Sequence, residues 1–196
     1  MPRTKEQYRE IRENRKEIIM GTALALFAKE GFGHVSIASL ASHAGMSKGL
    51  MYNYFKSKDA LLEAILNDGI EKIARQFDTN KDGVLTREEF AHFIRQTLRI
   101  MDADKSYWTH FFRLMIQPNV KEYLAQTSFN EYIGKYFSMM VDYFRRAGFS
   151  DPELEALQLT ATIEGYMLFK LFYNNLADIP GILFKQMEEK IIHQYT

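Results

Sequence analysis

The chain has 196 residues, of which 46% are hydrophobic and 26% charged, and its 25 basic and 25 acidic residues give a formal net charge of zero. This composition is too apolar for a disordered chain, and the length predicts one domain or two small ones. Because cysteine is absent, disulfide scaffolds, thiolate metal sites and cysteine nucleophiles are excluded. No signal or membrane-spanning segment is apparent, which predicts a cytoplasmic protein without a membrane partner.

The charge is unevenly distributed along the chain. Residues 1–58 contain ten Lys or Arg and five Glu, a net charge of +5, whereas residues 59–196 carry −5. A basic N-terminal head on an acidic body is expected when only the head meets a polyanion such as nucleic acid. Two differently solvated faces would give the same totals, so charge alone leaves both interpretations open. We expect two domains, residues 1–58 and 59–196.

The head is predicted to begin with a long amphipathic helix. Thr4 is a candidate N-cap with Gln7 as its capping-box partner, and Gly31 ends the helix. Its buried stripe is predicted at helical spacing: Ile19, Ala23, Leu26 and Phe27. Three further helices are predicted at residues 37–44, 48–54 and 58–77, each after a serine N-cap: Ser36, Ser47 and Ser57.

The second and third predicted helices, joined by a short turn at Gly45, form a helix-turn-helix pattern. The second helix of such a unit can lie in the major groove of DNA, where Lys pairs with guanine, Asn pairs with adenine and apolar side chains contact the thymine methyl group. An aromatic hinge that packs on the first helix is the alternative. The candidate DNA contacts are Ser36, Ser47, Lys48, Gly49, Leu50, Tyr52, Asn53, Tyr54 and Lys58.

The segment 25–62 resembles the DNA-binding head of TetR-family transcriptional regulators. The most specific part is the tract Gly45-x-Ser-x-Gly-x-x-Tyr-x-Tyr-Phe-x-Ser-Lys58. The resemblance implies an all-helical homodimer, each subunit with a three-helix DNA-binding head, a connecting fourth helix and a ligand-binding and dimerisation body. It also implies a repressor, or less often an activator, of double-stranded DNA that is released by a small effector. Leu50 and Asn53 depart from the residues usual in the family, so the operator sequence is not implied.

The segment 78–89 matches the EF-hand calcium loop at every defining position. The predicted Ca²⁺ ligands are Asp78, Asn80, Asp82, the Val84 carbonyl, Thr86 and Glu89. The same residues are also good turn formers, and Thr86 with Glu89 forms a capping box for a following helix. Since a single loop is present and EF-hands usually occur in pairs, Ca²⁺ binding and a capped turn both remain open.

The body shows helical periodicity throughout, which gives an all-α chain of about nine helices. The resemblance implies a ligand cavity among the fourth to eighth helices, although most of its candidates are better explained as plain core. Those candidates are Trp108, Phe111, Phe112, Met115, Tyr136, Met140, Tyr143 and Glu164. The last two helices resemble the family's dimerisation pair, with candidate interface residues Leu157, Ala161, Gly165, Leu168 and Phe172.

Three classes of function follow from these patterns. The leading prediction is a ligand-responsive DNA-binding regulator, with modulation by Ca²⁺ if the loop of residues 78–89 binds the ion. A calcium-sensing helical protein that acts on a protein partner is the alternative. An enzyme is not expected, because the five His residues show no metal-binding or triad spacing and no phosphate loop or organic-cofactor motif occurs.

Overall fold

The computed structural model describes residues 4–126, 129–173 and 180–196. This part of the chain contains helices and no strand, which confirms the predicted all-α class. The helices are α1 (Lys5–Glu30), α2 (Ile37–His43), α3 (Lys48–Tyr52), α4 (Lys58–Ala74), α5 (Arg87–Ala103), α6 (Lys105–Met115), α7 (Pro118–Ala125), α8 (Phe129–Arg146), α9 (Pro152–Leu168), a π-helical turn (Phe169–Tyr173) and α10 (Gly181–Tyr195). Among the residues described, no helix is both long and apolar enough to cross a membrane.

The chain forms two compact units. The first comprises residues 1–69 and 110–123, and the second comprises residues 70–109 and 124–196. Helices α4, α6 and α7 therefore each contribute residues to both units. These packing units do not follow the predicted division at residue 58, which stays a prediction.

The first unit is organised by the capped helices that the sequence predicts. Thr4 and Gln7 form the expected capping box, and the predicted stripe of α1 is buried. The hydroxyl oxygens of Ser36, Ser47 and Ser57 each accept a hydrogen bond from a backbone N–H three residues later, at 3.0–3.1 Å. These bonds satisfy N–H groups that a helix start would otherwise leave without a partner.

Residues 110–123 belong to the first unit because they contact the end of α1 and the middle of α4. The Gln117 amide accepts from the Phe32 N–H and donates to the Phe27 carbonyl, each at 2.8 Å. Gly69 of α4 lies against the Phe111 ring, where no side chain would fit. Both contacts join residues more than 40 positions apart, so local sequence patterns do not reveal them.

The second unit has an aromatic core. Phe90 of α5 packs on Tyr143 and Phe144 of α8, with ring centroids 4.2 and 5.4 Å apart. The Tyr143 hydroxyl donates to the Tyr195 carbonyl at 3.0 Å, which ties α8 to the end of α10. These contacts place the helix that follows the predicted calcium loop directly on the core.

A polar network in the second unit connects α5, the π-helical turn and α10. The Lys170 ammonium lies 2.6 Å from the Asp102 carboxylate and 3.4 Å from that of Glu188. The Tyr166 hydroxyl donates to Glu188, and burial together with this acceptor raises the Tyr166 pKa above its usual value. The lysine therefore has two carboxylate partners in a mostly buried setting.

The structure contains one helix that no pattern singled out and corrects two helix ends. This helix, α7, begins at Pro118, because proline fits the first turn of a helix. Helix α3 ends at Tyr52 rather than residue 54, and α4 ends at Ala74 rather than residue 77.

Replacement of two helical glycines of the first unit by alanine should change the free energy of unfolding in opposite directions. A Cβ at Gly69 would lie 2.1 Å from Phe111, whereas a Cβ at Gly21 of α1 would meet no atom within 4 Å. Gly69→Ala should lower the free energy of unfolding by about 1–3 kcal/mol because the core must shift. Gly21→Ala should raise it by about 0.5–1 kcal/mol because alanine favours the helix. Equal effects in denaturant titrations would contradict this packing.

Candidate nucleic-acid interface and metal loop

The short helix α3 presents one exposed side and anchors the other. Met51 is completely buried and Phe55, just after the helix, is 7% exposed. Leu50 and Tyr52 are 42% and 44% exposed, although both are large apolar residues. The predicted contacts Lys48, Gly49 and Asn53 are exposed as well. The structure therefore brings these five predicted residues together on a solvent-facing surface.

The turn between α2 and α3 sets the position of α3. Gly45 has a φ of +64°, in the left-handed region that glycine tolerates best. The Met46 N–H donates to the Ala41 carbonyl at 2.9 Å, which closes the turn on the preceding helix. Ser36 and Ser47 use their oxygen lone pairs for capping, so each hydroxyl proton can still be donated to a phosphate.

Two of the predicted phosphate contacts are held by the protein itself. The Lys58 ammonium donates to the Phe32 carbonyl at 2.7 Å and lies 4.5 Å from the centre of the Phe32 ring. Tyr54 is half-buried, and the Arg12 guanidinium lies 5.1 Å from its ring centre. In this conformation Lys58 fixes the loop after α1, and its phosphate contact stays a prediction.

Arg12 is a residue of the interface that the sequence analysis did not identify. Its guanidinium donates to the Asn53 carbonyl at the end of α3, at 3.0 Å. The sequence does place Arg12 seven residues before Ile19, which is two helical turns along the same face of α1. Arg12 thus connects the first helix to the helix with the exposed surface.

The predicted metal loop has a compact turn conformation. The Asp78 carboxylate accepts from the Gly83 N–H at 2.9 Å, and the Asp82 carboxylate accepts from the Val84 N–H at 2.8 Å. Lys81 and Gly83 have φ values of +61° and +78°. The other oxygen of Asp78, Oδ1, is buried and has no hydrogen-bond partner in the described residues. A buried carboxylate oxygen without a partner is costly, and a bound cation would satisfy it.

Glu89 serves as a capping residue in this structure. One carboxylate oxygen accepts from the Thr79 hydroxyl at 3.0 Å, and the other accepts from the N–H and hydroxyl of Thr86. The Thr86 backbone N–H is the largest cause of a lowered Glu89 pKa, followed by smaller effects that include the Thr79 hydroxyl. The predicted capping box of Thr86 and Glu89 is confirmed.

The predicted metal donors lie on the loop without forming a group of acidic side chains. Among the described residues, no three His, Cys, Asp or Glu side chains converge closely enough to hold a metal ion. The remaining predicted donors are an amide, a hydroxyl and a carbonyl: Asn80, Thr86 and Val84. A cavity of about 570 Å³ borders the loop and includes Asp78 and Asp82 in its lining, together with Arg75 and Lys135.

The candidate pocket residues are divided between the two units. Phe111, Phe112 and Met115 belong to the first unit, and the other candidates belong to the second. The Trp108 indole donates to the Ile100 carbonyl at 3.2 Å, which is a core contact. Met140 and Tyr143 are buried, whereas Tyr136 is half-buried. Glu164 is exposed, yet partial desolvation raises the pKa of its carboxyl. The predicted cavity stays a prediction.

Three of the five candidate dimer residues lie exposed on one side of α9. Leu157 is 57% exposed, and Ala161 and Gly165 are exposed one and two turns further along. Leu168 and Phe172 are half-buried. On α10, Ile182 and other large apolar side chains are exposed too: Leu183 and Met187.

Comparison with known proteins connects the geometry to a family. Residues 19–65 match the family model described as bacterial regulatory proteins, tetR family, and residues 75–94 match the EF-hand model. The HTH-type transcriptional regulator YerO of Bacillus subtilis, itself uncharacterised, is 52% identical over 48 residues, which are 24% of this chain and 17% of YerO. The chain thus spans less than half the length of the first curated relatives that it matches.

Solved structures match over nearly the whole chain. A structure described as a TetR-family transcriptional regulator from Rhodococcus sp. has a TM-score of 0.64 at 20% identity, over 93% of this chain and 96% of that one. AibR in complex with isovaleryl coenzyme A and operator DNA has a TM-score of 0.67 at 17% identity, over 92% and 97%. Residues 19–65 therefore resemble the bacterial regulatory proteins of the tetR family, and the chain shares an all-helical fold with these solved structures.

Proposed function

We propose that the protein is a DNA-binding transcriptional regulator that contacts base edges of a duplex through α3. The observation that carries the proposal is the two-sided character of α3, in which a fully buried Met51 stands behind exposed Lys48, Leu50 and Tyr52. A helix anchored in this way can enter the major groove without losing its packing. The match of residues 19–65 to the tetR family supports the same function.

Gly49 gives independent support. Glycine within a helix costs about 0.5–1 kcal/mol relative to alanine, so its presence needs a reason. The fold supplies none, because a Cβ at Gly49 would meet no protein atom within 4 Å and its φ is not positive. A close approach of the backbone to DNA would supply one.

Substitutions in the head should separate base contacts from phosphate contacts. Lys48→Ala should weaken binding to a duplex from upstream of the protein's own gene by about 1–3 kcal/mol and relax sequence preference. Tyr54→Phe should weaken binding to all sequences alike. Lys29→Ala, at the far end of α1, is the control and should change little. Fluorescence anisotropy measures all three, and equal loss in Lys48→Ala and Lys29→Ala would contradict the proposal.

Regulation by a small effector, with repression as the default activity, is part of the proposal. Its support is the similarity in fold to AibR, which was solved with both isovaleryl coenzyme A and operator DNA. The effector site would lie in the predicted ligand-binding domain, residues 59–196. The anisotropy assay provides the readout, since an effector would release the duplex from the protein.

The proposed regulator acts as a homodimer through α9 and α10. A single subunit leaves Leu157 and Ile182 more than half exposed, and burial of such side chains against a second copy is favourable. Two-fold symmetry also supplies two heads for half-sites one helical turn of DNA apart, or a multiple of that spacing.

A charge on this surface should dissociate the dimer. Leu157→Glu places a carboxylate where the second copy would cover it, so sedimentation equilibrium should give the mass of one subunit. Gln158→Glu adds the same charge at the adjacent exposed position and should leave a dimer. A single-subunit mass for the unchanged protein would refute this interface.

The loop of residues 78–89 is proposed to bind Ca²⁺ and to modulate DNA binding. The buried Oδ1 of Asp78 provides an unsatisfied oxygen ligand, and the loop supplies the further oxygen donors that Ca²⁺ prefers. Helix α4 is continuous from Lys58 to Ala74, so it connects the head to the chain just before the loop. A bound Ca²⁺ ion would neutralise the carboxylates of the loop and fix the conformation of the loop.

Calorimetric titration of chelator-treated protein with Ca²⁺ tests this role. Glu89→Gln should weaken binding at least tenfold, because the closing ligand loses its charge. Glu88→Gln removes the same charge from the adjacent exposed residue and should not. The calcium dependence of duplex affinity should disappear in Glu89→Gln alone. Absence of binding heat in the unchanged protein would leave the loop as a capped turn.

The alternative of a calcium sensor that acts on a protein partner rests on this loop alone. No feature of the described residues favours it over the DNA-binding function. Retention of the calcium response together with failure to bind any duplex would reverse that preference.

A further inference from the structure

The first half of α1 extends beyond the core of the first unit. None of residues 4–18 is buried, and burial begins at Ile19. At 1.5 Å per residue, the exposed helical part is about 20 Å long. Such a segment gains little from packing, so the fold does not require it.

The basic and the acidic residues of this segment lie on different faces of the helix. Four of its five cations, all except Arg15, recur at the spacing i, i+4, i+7 and i+11, which places them on one side of the helix over about 16 Å. They are Lys5, Arg9, Arg12 and Lys16. Four acidic residues occupy the neighbouring face at the same spacing: Glu6, Glu10, Glu13 and Glu17.

The cationic face points toward the same side as α3. Ile19 and Ala23 continue its spacing and are buried in the unit that contains α2 and α3. Arg12, in the middle of the cationic face, donates to the Asn53 carbonyl at the end of α3 and lies over the Tyr54 ring. Lys5 therefore lies about 10 Å further along the helix axis than the residue that contacts α3.

Helix stabilisation by ion pairs does not account for this arrangement. Both side chains of the Arg9–Glu6 pair are highly exposed, and the Lys16–Glu13 pair has a long N–O distance of 3.5 Å. Exposed pairs at this spacing contribute only about 0.2–0.5 kcal/mol. A phosphate group would replace such a partner at little cost.

We propose that the N-terminal half of α1 is a second DNA contact, in which Lys5 and Arg9 bind phosphates of the duplex that α3 contacts, and Arg12 is the positioning residue that aligns the two helices. This inference rests on the proposed DNA-binding function. Phosphate contacts carry no base information, so this part of α1 increases affinity and its salt dependence without changing sequence preference.

The test measures duplex affinity as a function of salt concentration by anisotropy, with a duplex from upstream of the protein's own gene. The variant Lys5→Gln with Arg9→Gln keeps good helix formers and removes both contacts. Its slope of log K against log salt should be smaller by about 1.8 per head, and affinity at about 0.1 M salt should fall tenfold or more. Lys29→Gln removes a charge from the opposite end of α1 and should keep the original slope.

The outcomes separate this inference from the function on which it rests. If the unchanged protein binds no duplex, the proposed function fails. If it binds and the double variant keeps the original slope, the contact by α1 is refuted while the role of α3 stands. A smaller slope together with an altered sequence preference would also refute it, because the cations would then contact bases.

Discussion

The structure depends on how a helix of only five residues is held in place. Isolated helices of this length are unstable in water, so α3 exists only through its tertiary contacts. Complete burial of Met51, the N-cap of Ser47 and the hydrogen bond from Arg12 to the Asn53 carbonyl supply them. Because all three act on the inner side or the ends of the helix, its outer side remains available to a ligand.

The end of α1 is the second constraint on the head. The chain turns after Glu30, where α1 ends, and the Phe27 carbonyl accepts from the Gly31 N–H at 3.0 Å. Gln117 adds a second donor to the Phe27 carbonyl and accepts from the Phe32 N–H, while Lys58 donates to the Phe32 carbonyl. A segment of residues 110–123 and the start of α4 thus fix the same turn. Changes in either segment would reach the head through these hydrogen bonds.

Local patterns predicted the helix starts well and the long-range contacts poorly. The N-caps at Ser36 and Ser47 and the capping box at Thr86 depend on residues within one turn, so the sequence displays them directly. The Gln117 contacts join residues 85 and 90 positions apart, and no periodicity encodes them. The same holds for Gly69, whose need for glycine comes from the Phe111 ring. Pro118 gives no clear signal for the start of α7, because proline ends some helices and begins others.

In the candidate sites too, some features follow from local sequence and others only from the fold. Exposure of Lys48 and Leu50 followed from helical spacing, whereas the engagement of Lys58 with the Phe32 carbonyl required the fold. In the loop of residues 78–89, Glu89 has two possible roles, as a cap for α5 and as a metal ligand. The sequence predicts both, and the structure shows the cap. The partnerless oxygen of Asp78 is the feature that only the structure could add.

If α2 and α3 form the surface that meets DNA, titration with the upstream duplex should change the amide chemical shifts of isotope-labelled protein most at the starts of these two helices. The largest shifts are expected around Ser36 and from Ser47 to Asn53. Shifts confined to residues 129–196, or none with any duplex at low salt, would contradict this interface.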